Sequence, residues 1–206
     1  MTISVVCLDV GEVVIDETRV WSVWADVLEV SPFTMMAAIG AQIARGGQHT
    51  DALDAVAGAR AWRDLEDEHE RRFGGFGVAD LYPDAADGLA AIAATGRRVV
   101  LAGNQPARRT AQLQALGLPV DDIVTSEELG AEKPMSAFFE RILERVGGTA
   151  LYVGDRVDND VVPARAAGMM VAWLRRGPWA LLQAPPDDVD VTASSLAEVA
   201  AWVGAS

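Results

Sequence analysis

The hydrophobic pattern begins with an unbroken apolar run, Val5-Val6-Cys7-Leu8, that stops abruptly at Asp9 and continues as Val10-Gly11-Glu12. A short apolar run closed by a carboxylate and a glycine predicts a buried strand delivering Asp9 to the carboxyl edge of a sheet, where open α/β folds place their ligands. From Tyr82 onward, helical and strand-like segments alternate with short turns. Helices are predicted over 84–95, ending at Gly96, over 106–116, closed by Gly117, and over 135–146, before Gly147-Gly148. Strands are predicted over 97–102, 122–125 and 150–153, then a helix ending near Gly168, a strand over 169–174 and a last helix around 196–203. Such alternation implies a parallel sheet covered by helices, with the residues just past Asp9, Ala102, Thr125 and Val153 gathered at one edge.

Residues 17–81 read differently, as helices without a clear strand. Val20, Val23, Trp24, Val27 and Leu28 make a helical stripe within 19–30. Ser31-Pro32 reads as an N-cap followed by proline at the first helical position, opening a helix through Ile43 that Gly46-Gly47 breaks. Thr50-Asp51 suits the cap of a third helix, and a highly charged fourth runs over 61–73 to Gly74-Gly75. These helices form an insertion after the first strand, which buries its apolar faces as a compact cluster. His69, flanked by Asp67, Glu68 and Glu70, is placed on a solvated helix face. Trp21, Trp24 and Trp62 are read as core or interface, with one of them or Arg19, Arg45 or Arg63 able to reach a substrate, and Trp173 and Trp179 as packing and surface beside a loop at 175–178.

Composition narrows the options. The 206 residues suffice for one α/β domain with an insertion, half are hydrophobic, and no run approaches the roughly 18 apolar positions of a membrane span. The net charge of −13 argues against a nucleic-acid partner, which calls for clustered Lys and Arg. The single cysteine, Cys7, cannot form an internal disulfide, and no leader pattern precedes the first strand, so a cytoplasmic location is expected.

Four strand-end segments carry candidate chemistry: Asp9; Gly103-Asn104-Gln105; Glu132-Lys133-Pro134; and Gly154-Asp155 through Asp160. Mg²⁺ takes oxygen ligands and often binds through one or two carboxylates plus substrate phosphate, a role for Asp9 and Asp155 at the ends of adjacent strands. With its charge screened, Asp9 could attack phosphorus and form an aspartyl phosphate. Lys133 would neutralise charge on nucleophile and phosphoryl group, while main-chain amides and Asn104 donate to phosphoryl oxygens.

The ordered set of four motifs resembles the haloacid dehalogenase-like (HAD) hydrolase superfamily, over nearly the whole chain. The resemblance implies an α/β fold: a three-layer Rossmann-like core with a mostly parallel sheet (1–15 and 83–206), plus a small helical cap domain (16–82). It implies Asp9 as nucleophile and metal ligand, the main-chain carbonyl of Gly11 as second ligand, and Asp155 with supporting Asp160 at the metal. Gly103 and Asn104 fall on the phosphate-binding pair, and Lys133 on the motif lysine. The expected function is Mg²⁺-dependent hydrolysis of a small phosphorylated metabolite. The alternatives are a weakly active or non-catalytic binding relative, or a 2-haloacid dehalogenase.

Two positions depart from the family pattern. Gly11 stands where a second Asp usually serves as acid and base, a contribution worth about 10²–10⁴-fold in rate. Its loss could slow turnover greatly without abolishing phosphoryl binding, and the activity is uncertain there. Glu12 is a candidate substitute. Gly103 lacks the usual hydroxyl. The sequence leaves the substrate unidentified and the oligomeric state open, with a homodimer among the options.

Overall fold

The computed structural model describes residues 2–58 and 61–206. The chain forms two units, one of Met1–Asp16 with Gly77–Ser206 and one of Glu17–Phe76. Residues 77–82, expected in the helical insertion, therefore belong to the first unit. Three main-chain contacts tie them there: a bridge between Ile15 and Leu81, Asp16 N–H on the Asp80 carbonyl at 2.8 Å, and Tyr82 N–H on the Val14 carbonyl at 3.0 Å.

The first unit is a Rossmann-like three-layer α/β core built on a parallel sheet. Its strands are β1 (Val5–Leu8), β2 (Arg98–Gly103), β3 (Asp122–Thr125), β4 (Ala150–Gly154), β5 (Met170–Leu174) and β6 (Val191–Ala193), in the spatial order β3-β2-β1-β4-β5-β6. All five pairings are parallel. Central strands covered on both faces should be apolar at every position, and β1 and β4 are buried throughout. On one face Cys7, Val100, Ala102, Tyr152 and Val171 pack against Phe138, Phe139 and Ile142 of the helix Ser136–Val146. Helices Ala85–Ala93 and Leu196–Ala205 also meet, at Gly88, where any Cβ would collide with Leu196.

Strand order explains the site. The chain builds β1, β2 and β3 outward in one direction, then returns to place β4 on the other side of β1. The carboxyl edge between β1 and β4 is thus the topological switch point, the place where such sheets open a crevice. Leu8 lies level with Leu101 and Val153, so Asp9 emerges at the height of Ala102 and Gly154, its N–H donating to the Val153 carbonyl at 2.9 Å.

Three elements of this unit have no counterpart in the sequence expectation: the helix Ser126–Leu129, the helix Gly177–Leu182 and β6. Each is short, with too few residues to show a period. Residues 175–178, expected as a loop, run into the helix Gly177–Leu182, with Pro at its second position and Trp179 buried.

The second unit contains helices Thr18–Val27, Pro32–Ile43, His49–Ala57 and Glu66–Phe73. Ser31 caps the second, its hydroxyl accepting from Thr34 N–H at 3.1 Å. The third begins at His49, with Asp51 reaching back to Gln48 N–H at 2.7 Å, so Asp51 caps from inside the helix. His69 is not on a solvated face. It is buried, stacked on Trp24 with centroids 4.2 Å apart, and its Nε2 lies 3.1 Å from the Val20 carbonyl. His69 and Phe73 are four apart and so share one helix face, while Asp67, Glu68 and Glu70 point elsewhere. Trp24 also meets Trp62 edge-on at 5.7 Å, and all three tryptophans of this unit are buried. Arg19 is engaged within the unit, donating to the carbonyls of Phe73 (2.6 Å) and Gly75 (2.5 Å). Among the described residues, no helix is long and apolar enough to cross a membrane.

Candidate active site

Buried charge concentrates at the carboxyl edge of β1 and β4. Asp9, Asp155 and Asp160 each place a carboxylate oxygen within 4.8 Å of the others, and all three are buried. Lys133 joins them, its Nζ 2.6 Å from Asp9 Oδ2 and 2.6 Å from Asp160 Oδ1. Asp9 Oδ1 accepts the N–H of Val10 at 2.8 Å, and Asp160 Oδ2 accepts that of Arg156 at 3.0 Å. A wide turn, Val157–Val161, aims Asp160 back at the strand end, where Gly154 makes room for it: a Cβ at 154 would collide with the Asp160 side chain.

Three clustered carboxylates share one ammonium, which contacts two of them, and the proton affinities reflect this. Burial pushes Asp155 well above the ordinary carboxylate range, and the charges of Asp160, Asp9 and Glu12 add to the effect. Burial also raises Asp160, to about 6, against the opposing pull of Lys133. Burial alone would lower Lys133, but Asp160 and Asp9 outweigh it and its proton is held more tightly than usual. Among the described residues Asp155 Oδ2 is buried with no hydrogen-bond partner, although such atoms are nearly always satisfied. An orphaned oxygen among surplus negative charge, with hard oxygen donors converging, fits a divalent cation.

Position 11 requires a correction. The glycine there was expected to put activity in doubt, but Asp9, the candidate nucleophile, is present and buried in the acidic cluster. The candidate nucleophile is present and has not been replaced. Gly11 lies between Val10, whose carbonyl accepts from Val14 and Ile15, and Glu12, whose N–H donates to Ile15 at 2.7 Å; its own carbonyl takes no part in those bonds.

Gly103 ends β2 directly beside the nucleophile candidate. A Cβ there would lie 2.5 Å from Asp9 Oδ1, so the space of the expected hydroxyl-bearing side chain is filled by the Asp9 carboxylate itself. The Asn104 amide, expected to face a phosphoryl group, pairs with the main chain of Lys133: Nδ2 donates to its carbonyl at 2.9 Å and Oδ1 accepts its N–H at 2.7 Å.

Tyr152 escaped the sequence reading, as did the partner of Glu12. Tyr152 looks like one more apolar residue of β4, yet its ring lies 5.6 Å from Lys133 Nζ and its hydroxyl donates to the Ala102 carbonyl at 2.7 Å. A tyrosine inside an otherwise aliphatic strand is the available signal, because a buried hydroxyl needs a partner. Glu12 is buried in a left-handed conformation, φ 54°, with Oε2 accepting the Tyr82 hydroxyl at 2.5 Å. That pairing spans 70 positions and leaves no local signature.

A protein-family model described as haloacid dehalogenase-like hydrolase matches residues 3–168. The chain belongs to this family. Among curated relatives, it is 35% identical over 126 residues to glyceraldehyde 3-phosphate phosphatase of Methanocaldococcus jannaschii, covering 57% of this chain and 54% of that one. It is also 35% identical over 137 residues to phosphoglycolate phosphatase of Rhodospirillum rubrum, covering 64% and 55%. The chain thus spans about half the length of the curated relatives it matches. Among solved structures, the magnesium-bound HAD-hydrolase YfnB of Bacillus subtilis superposes with a TM-score of 0.76 over 98% of this chain and 99% of that one. At 18% identity this likeness shows the haloacid dehalogenase-like fold.

Proposed function

We propose that the protein is a Mg²⁺-dependent phosphatase of a small phosphorylated metabolite, acting through an aspartyl phosphate on Asp9. The observation that carries this reading is the buried Asp9–Asp155–Asp160 cluster around Lys133, with an unpartnered Asp155 oxygen at the switch point of the sheet. The names of the matched relatives, both phosphatases of small phosphorylated metabolites, support it.

Asp9 attacks phosphorus: the carboxylate O–P bond forms as the ester O–P bond breaks, and the leaving oxygen departs as the alcohol with a proton from water. A second water then cleaves the acyl phosphate, releasing inorganic phosphate and restoring the Asp9 carboxylate. Lys133 holds the Asp9 carboxylate in place and offsets charge on the phosphoryl group. Main-chain amides at the ends of β1 and β2 donate to phosphoryl oxygens. Asp9, Asp155 and the Gly11 carbonyl, with Asp160 in support, would hold the metal, which when bound supplies Lewis-acid neutralisation of phosphoryl charge.

Phosphate release from a panel including phosphoglycolate and glyceraldehyde 3-phosphate, with Mg²⁺ and with chelator, tests the reading. Metal-dependent release supports it; halide release from 2-chloroacids, or no turnover of any substrate, would replace it. Mg²⁺ at about 100 times its Kd should raise the melting temperature by roughly 5–10 °C, and Asp155→Asn should abolish that rise. An equal rise in the variant would remove Asp155 from the metal site.

The packing of Gly103 yields a further test. Gly103→Ser restores the hydroxyl of the family pattern but drives Asp9 Oδ1 from its position, so turnover should fall about 10²-fold while the melting temperature barely moves. Faster turnover in this variant would contradict the packing argument.

A further inference from the structure

We propose that Asn104 is a positioning residue for Lys133, its side-chain amide engaged by the lysine's own main chain and not by the substrate. The inference rests on the reading of Asp9 and Lys133 as the reacting centre.

The two bonds between Asn104 and Lys133 are reciprocal, one in each direction across 29 positions. Their polarity fixes the amide's orientation, because a flipped amide would set donor against donor and acceptor against acceptor. Lys133 needs such a hold. It lies outside any helix or strand, between the helices Ser126–Leu129 and Ser136–Val146, and is followed by Pro134, which has no N–H to donate. Its flexible stem must nevertheless bring Nζ to 2.6 Å from two carboxylates, and ordering a long lysine side chain costs rotamer entropy. Fixing the root of the stem limits where its tip can go.

The clamp belongs to a closed circuit. From Asn104 it runs through the Lys133 main chain to Nζ, on to the ring of Tyr152, and through that hydroxyl to the carbonyl of Ala102, two residues before Asn104. The end of β2 thereby holds the lysine at its root and, through Tyr152, beneath its tip.

Lys133 is the single lysine of the chain, so ¹⁵N-lysine labelling reports on this ammonium alone. The test compares wild type with Asn104→Ala and Asn104→Ser. It records the lysine ¹⁵Nζ signal, the kcat and KM for p-nitrophenyl phosphate with Mg²⁺, and inhibition by inorganic phosphate. Serine could still donate to a phosphoryl oxygen but cannot bridge both the N–H and the carbonyl of Lys133, so the two variants should behave alike. Each should shift or broaden the lysine signal and lower kcat by about 10²-fold, leaving phosphate inhibition unchanged. Weakened phosphate inhibition with an unaltered lysine signal, recovered in part by serine, would overturn the proposal and make Asn104 a phosphate ligand. If wild type turns over no phosphate ester, the phosphatase reading fails while the lysine signal still decides whether the clamp exists.

Discussion

Asp9→Asn is expected to reduce metal-dependent phosphate release by about 10³-fold or more, because loss of a covalent nucleophile removes a step that the remaining groups cannot perform. The fold should survive. Asn keeps the size of the side chain and removes one of three mutually repelling carboxylates, while Lys133 retains its partner Asp160 at 2.6 Å. The metal-free variant should therefore melt no lower than wild type. Steady-state phosphate release paired with a thermal melt separates the two effects: residual activity within tenfold of wild type would remove Asp9 from the chemistry.

Lys133→Met should harm both stability and rate. The substitution strands three buried carboxylates without their one ammonium, and breaking a buried ion pair from one side costs about 3–5 kcal/mol. Turnover should fall by about 10²–10³-fold, the scale seen when one charge-stabilising donor is removed. The pH dependence has a definite sign. Asp160 binds its proton more tightly folded, about 6, than its ordinary 3.8, so its contribution to stability is full below 3.8 and is lost as pH rises through the folded value. Lys133 opposes that upward shift, so its removal should carry the loss to higher pH. Metal-free denaturant melts between pH 4 and 8 read this directly. A variant as stable as wild type at pH 8 would mean that Lys133 does not balance the cluster.

Much of this site was legible in the sequence because its parts lie at strand ends. An apolar run interrupted by an acid, as at Leu8-Asp9 or Val153-Gly154-Asp155, records both a buried strand and the point where it leaves the sheet. The contacts between those ends were not legible. Nothing local tells that Asp160 rather than Asp155 meets Lys133, since the turn that sends Asp160 back depends on Gly154 lying beneath it. Asn104 was read by its place in a motif as a phosphate donor, but its partner is 29 residues away and visible only in three dimensions. His69 shows the same limit: its charged neighbours suggested solvent, while helical spacing placed it against Trp24. Position 11 invited inference from a missing group, whereas the site is built around groups that are present.

In the proposed mechanism Asp9 carries the phosphoryl group as a covalent acyl phosphate. Turnover of p-nitrophenyl phosphate with Mg²⁺ in the presence of hydroxylamine should convert that species to a hydroxamate, located by peptide mass mapping. A hydroxamate at Asp9 should accumulate with turnover and require both substrate and metal. Sustained phosphate release with Asp9 unmodified, or with the hydroxamate on another carboxylate, would contradict it.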